Sequence, residues 1–185
     1  MVEIEEVHEV AQDALELKEQ GNREFKSGNY ERAIESYDKV IELDRTGSDM
    51  RASVLFNKAT CLFHLGKFAE CIDSCSGALT LNPLYEKALY RRALAYEQIN
   101  EFENAISDIE KMIELNPSHK SSLKEVYDRL KAKRDAKFES EKEKVFSELK
   151  GLGNSLLSTF GLSLDNFKME KDPSTGSYSI KMNNG

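Results

Sequence analysis

The chain has 185 residues, with 26 Lys and Arg against 33 Asp and Glu, a formal net charge of -7. That balance excludes nucleic-acid binding through a generally basic surface, and no apolar run approaches the ~20 residues of a membrane span. Three cysteines cannot form a disulfide framework. The opening MVEIEEVHEV has neither a basic stretch nor an apolar core, so no secretory signal is predicted and a cytoplasmic location is expected.

In chain order, residues 1–13 hold five acids and no Lys or Arg, and read as an acidic N-terminal arm. Helical periodicity then predicts three helix pairs: 11–27 with 30–43, 49–65 with 68–81, and 85–99 with 102–115. Pro83 and Pro117 follow the second helices of the later pairs, where proline stops a helix. The first pair has Arg45 there, followed by four extra residues, which predicts a longer loop. Residues 118–150 lack Pro and Gly. Leu123, Val126, Tyr127 and Leu130 fall on one helical face there, a stripe suited to capping the last pair. Farther on, Phe138, Val145, Phe146 and Leu149 stand among dense charge and read as a solvated extension of that helix. Gly151 and Gly153 are expected to break it. In the tail, 151–185, residues 167–182 read as a short β-hairpin around a Pro-Ser-Thr-Gly turn.

The pairs are copies of one another. GNYERAIESYDKVIELD (28–44), GKFAECIDSCSGALTLN (66–82) and NEFENAISDIEKMIELN (100–116) align without gaps, at offsets of 38 and 34 residues. Small residues keep register: Gly21, Ala59 and Ala93 where paired helices cross, and Ala33, Cys71 and Ala105 early in the second helices. A helical period of 34 resembles the tetratricopeptide repeat, two antiparallel helices per unit. The resemblance implies an all-α fold with three repeats, near 14–47, 52–85 and 86–119, in a right-handed superhelix closed by a capping helix.

In such arrays the first helices line the concave side. Their outward face collects Lys18, Asn22 and Lys26, then Asn57, Thr60 and His64, then Lys87 and Arg91. Lys18 with Asn22, and Lys87 with Arg91, are four residues apart and share a face. Lys and Arg supply charge-assisted donors and Asn supplies amide donors, a set suited to carboxylates. The alternative is a set of solvated charges, as most surface lysines are.

LKEQGN (17–22), LFNKA (55–59) and EKALYRR (86–92) resemble the carboxylate-clamp class of tetratricopeptide domains. That class binds the C-terminal Glu-Glu-Val-Asp tails of the seventy- and ninety-kilodalton heat-shock chaperones. The resemblance implies that Lys18, Asn22, Asn57, Lys87 and Arg91 form the clamp, and that Phe25, Thr60 and Phe63 give apolar contacts to residues upstream in the tail. The ending GLSLDNFKMEKDPSTGSYSIKM (161–182) is similar to the C-terminus of the tetratricopeptide repeat protein 1 family.

No Ser/His/Asp set stands on loops and no glycine-rich phosphate loop follows a strand, so no enzyme and no cofactor are expected. Cys61, His64, Cys71 and Cys75 invite a zinc reading, but the second-helix cysteines hold packing positions and no metal site is expected. Two functional readings stand: a chaperone adaptor working through the groove, and a signalling scaffold whose folded partner engages the long helix and tail.

Overall fold

The computed structural model describes residues 2–43, 47–171 and 178–182, in two compact units, 1–134 and 135–185. In the first unit three αα-hairpins follow one another: α1 (Val2–Lys26) with α2 (Tyr30–Glu42), α3 (Ser48–His64) with α4 (Phe68–Leu81), and α5 (Glu86–Gln98) with α6 (Phe102–Leu115). A 3-10 turn at Pro117–His119 leads into α7 (Lys120–Ser158). The tail holds strands β1 (Phe167–Lys171) and β2 (Tyr178–Met182), paired antiparallel with Phe167 opposite Met182. The turn expected between them lies outside the described residues, as do Arg45 and Thr46 of the loop after α2.

The repetition extends to single hydrogen bonds. Gly28, Gly66 and Asn100, equivalent in the alignment, each have φ between 60° and 79°. After each, a backbone N–H returns to the carbonyl five residues earlier: Asn29 to Glu24, Lys67 to Leu62 and Glu101 to Tyr96, all at 2.9 Å. This is the glycine-type closure of a helix C-terminus, and asparagine tolerates its left-handed residue well enough to serve at 100.

The small residues lie at the closest approaches. Ala33, Ala59, Cys71, Ala93 and Ala105 are buried, and a Cβ placed on Gly21 would stand 2.5 Å from Cε1 of Tyr37. The core is a succession of clusters, each shared between neighbouring hairpins: Ala14, Tyr37 and Val40 with Val54 and Cys61; Leu62, Cys71 and Cys75 with Ala95; and Leu79, Leu89 and Ile109 with Leu123 and Leu130. Such nearest-neighbour burial is how a repeat array is stabilised. Leu123 and Leu130 join the last cluster, with Val126 and Tyr127 half-buried against it, so the first turns of α7 cap the third hairpin.

Two boundaries differ from expectation. The first helix starts at Val2, within the stretch read as an arm. Nothing in the sequence of that stretch interrupts a helix. The long helix runs through Gly151 and Gly153 to Ser158 and is not broken by them. Each glycine costs about 1 kcal/mol relative to alanine, which a helix already propagating can absorb. At 153 glycine is also the residue that fits, because a Cβ there would lie 2.8 Å from Cδ1 of Leu164.

Candidate functional site

The outward face of α1, α3 and α5 carries two polar groupings. The first is an amide pair. Oδ1 of Asn22 accepts hydrogen bonds from Nδ2 of Asn57 at 3.0 Å and from the Tyr37 hydroxyl at 2.8 Å. With its oxygen occupied on the protein side, Asn22 keeps both amide hydrogens for an external acceptor. Lys18 stands one turn earlier on α1, half-buried. Tyr37 itself is buried, which pushes its hydroxyl up to about 12.

The second grouping is cationic. Lys87 and Arg91, one turn apart on α5, line a cleft of about 440 Å³ with one acid, Glu86, and with Phe56, Tyr90, Met112, His119, Ser122 and Leu123. The Arg91 guanidinium lies over the Phe63 ring, 4.8 Å from its centroid, an arrangement that holds the fork against an apolar surface. Its Nε is buried and has no hydrogen-bond partner among the described residues. A buried donor of this kind needs a partner, and an incoming carboxylate would supply one.

The three residues expected to give apolar contacts fall in different settings. Phe25 joins an aromatic group with Tyr30 and His64, at centroid distances of 5.6 and 5.8 Å, and His64 stacks on Tyr30 at 4.8 Å. Phe63 links Arg91 to Phe68. The Thr60 hydroxyl bonds back to the Phe56 carbonyl at 3.0 Å, leaving its methyl as the apolar part.

Three contributors were not foreseen. Tyr37 occupies a register position held by Cys75 and Ile109 in the other copies, so the available signal was a hydroxyl at an otherwise apolar position. Glu97 is the second: it takes the register of Phe25 and Phe63, yet its buried carboxylate accepts from Arg129 at 3.0 Å and from Lys133 at 2.8 Å. Burial alone would push this carboxyl up, but the two cations outweigh it and hold it below the usual range. The capping helix thus neutralises an acid at a groove position. His119 is the third, placed 3.6 Å from the Glu86 carboxylate at the cleft's edge.

Cys61, Cys71 and Cys75 are buried free thiols. A hydrogen bond from Cys75 pulls Cys71 down, while the same bond and burial push Cys75 up. Among the described residues no group of three or more His, Cys, Asp or Glu is arranged to hold a metal.

Residues 18–86 and 86–119 match family profiles described as tetratricopeptide repeat. The DnaJ homolog subfamily C member 7 homolog of Dictyostelium discoideum is 30% identical over 146 residues, covering 71% of this chain and 27% of that protein. The chain therefore spans about a quarter of that relative. Among solved structures, the first tetratricopeptide domain of Spaghetti (RPAP3), bound to the HSP90 peptide SRMEEVD, superposes with a TM-score of 0.59 at 34% identity, covering 66% of this chain and 93% of that one. The second such domain of human RPAP3, in complex with the HSP70 peptide SGPTIEEVD, gives 0.59 at 31% identity, covering 66% and 98%.

Proposed function

Because the chain belongs to the tetratricopeptide repeat family over residues 18–119, we propose that it is a co-chaperone adaptor whose groove captures the C-terminal Glu-Glu-Val-Asp tails of the HSP70 and HSP90 chaperones. Lys18, Asn22 and Asn57 receive the terminal carboxylate, and Lys87 and Arg91 the acidic side chains. Phe25, Thr60 and Phe63 line the path of the upstream residues. The three hairpins act as three repeats, and the resemblance of the tail supports membership of the tetratricopeptide repeat protein 1 family. The protein works in the cytoplasm and by binding alone.

One observation carries this reading: an amide pair with its oxygen turned inward and a buried, unpartnered Arg91 Nε stand on the same helical face. Both present donors, and among the described residues the Arg91 Nε has no acceptor. The two peptides bound by the similar domains both end in Glu-Glu-Val-Asp, which offers carboxylates at the spacing of successive residues.

A short peptide held mainly by charge should bind with a Kd in the micromolar range, about -8 kcal/mol. Titration calorimetry with a tail peptide tests the assignment. Arg91→Ala should cost roughly 2 kcal/mol, about thirtyfold in Kd, and affinity should fall as salt rises. Wild-type affinity for Arg91→Ala would sink the assignment.

A further inference from the structure

The second unit, residues 135–185, leaves a long apolar stripe open along α7. Phe138, Val145, Phe146, Leu149, Leu152 and Leu156 are each between 54 and 71% exposed. Their order is regular. Positions 138, 142, 145, 149, 152 and 156 follow one another at spacings of four, three, four, three and four residues, and all but Lys142 are apolar. This is the 3.5-residue period of a coiled-coil seam, distinct from the broader 3.6-residue face that packs on a globular core. In heptad terms Lys142, Leu149 and Leu156 are a positions, and Phe138, Val145 and Leu152 are d positions. Phe146 flanks the seam at e.

The chain's own tail takes a neighbouring face. Lys150 pairs with Asp165 at 2.7 Å, Asn154 accepts from the backbone of Leu164 at 2.6 Å, and Leu164 packs over Gly153. These contacts fall at b, e and f positions; Leu149 and Phe146 also share a cleft with Leu164, Phe167 and Ile180 of the tail, yet every apolar residue of the seam keeps more than half of its surface open among the described residues.

We propose that this seam is a dimer interface in which α7 of a second copy packs antiparallel on the first. A seam of this period needs another helix of the same period, and a second copy supplies one. Two-fold pairing about the midpoint between Val145 and Leu149 brings every a residue against a d residue: Leu149 on Val145, Lys142 on Leu152 and Leu156 on Phe138. The two Phe146 rings then meet on one flank. A parallel pairing in register would instead place two Lys142 ammonium groups in the same layer, a costly burial of like charge. The six apolar side chains offer roughly 100 Å² each, so the pair would bury about 1,200 Å² in total, at the lower end of stable specific interfaces.

Sedimentation equilibrium of the full chain up to about 100 μM tests this, since a seam of this size implies a Kd in the micromolar range. The expected result is a reversible dimer. Leu149→Glu should weaken it at least tenfold, and Lys142→Leu should tighten it by a similar factor by replacing the two symmetry-related polar layers. Circular dichroism of both variants checks that the helices persist. A chain that stays monomeric throughout overturns the proposal. A dimer insensitive to Leu149→Glu overturns it equally, as does a Lys142→Leu dimer no tighter than wild type.

Discussion

The buried hydroxyl of Tyr37 donates a 2.8 Å hydrogen bond to Oδ1 of Asn22, tying the second helix of the first hairpin to the groove face of the first helix. Asn57 shares the same acceptor from the next hairpin. The rotation of the Asn22 amide is therefore set in part from beneath the groove, by a residue only 1% exposed.

Tyr37→Phe removes one of the two donors and little volume. Folding should lose about 1 kcal/mol, the typical worth of a neutral hydrogen bond. Asn22 would still accept from Asn57, so tail-peptide affinity should fall only a few-fold, far less than for Asn22→Ala. Urea unfolding and calorimetry on the two variants separate these effects. A Tyr37→Phe variant as weak in binding as Asn22→Ala would mean that Tyr37 does more than orient the amide.

Glycine at 21 is set by the same tyrosine. Gly21→Ala would place a methyl 2.5 Å from a buried ring with no room to retreat, and should destabilise by about 1–3 kcal/mol. Gly77→Ala is the contrast. Its methyl would lie 3.3 Å from Cδ1 of half-buried Leu55, which can give way, and alanine adds about 1 kcal/mol of helix propensity. That variant should be neutral or more stable in thermal unfolding, although both changes add the same atoms to the same kind of helix.

Much of this was legible before any coordinates, because repetition is visible as alignment. Gly21, Ala59 and Ala93 marked the helix crossings, and the bounds of the predicted pairs placed the turns at 28–29, 66–67 and 100–101. What escaped notice lies in contacts made once. Glu97 finds Arg129 and Lys133 in a helix that is not a copy of the others, 32 and 36 residues away. Gly153 gives Leu164 the room to pack against the long helix, a tertiary contact with no local trace. Tyr37 showed only as a hydroxyl in an apolar register, and its partner lies on another helix.

Burial raises the pKa of Tyr37 from 10.0 to about 12. The neutral hydroxyl is thus favoured in the folded state, and its contribution is complete below pH 10. As pH climbs from 10 to about 12 that contribution is lost, up to about 2–3 kcal/mol at 1.36 kcal/mol per decade. Urea midpoints measured across this window should fall steeply for the wild type. For Tyr37→Phe they should fall less, with a residual slope from Tyr85 and Tyr96, which burial also raises. Equal slopes for both proteins would contradict the burial-driven shift.

Arg91 and Arg92 are sequence neighbours that point to different tasks. Arg92 bonds the Asp108 carboxylate through Nε at 2.8 Å and Nη2 at 2.7 Å, and reaches the Ser76 hydroxyl with Nη1 at 2.8 Å. Asp108 is only 4% exposed, so Arg92→Ala would strand a buried carboxylate and should cost about 3–5 kcal/mol of folding stability. Arg92→Lys should recover only part of that, because an ammonium cannot form the two-pronged bond. Lys58 holds the equivalent register and pairs with Asp38, but that carboxylate is 40% exposed and Lys58→Ala should cost under about 1 kcal/mol. Denaturant midpoints therefore should rank Arg92→Ala well below Lys58→Ala, with Arg91→Ala near wild type. Peptide calorimetry at a temperature where all three are folded should invert the order, since of the three only Arg91 belongs to the proposed clamp. Equal loss of stability for the two arginine variants would refute this division of labour.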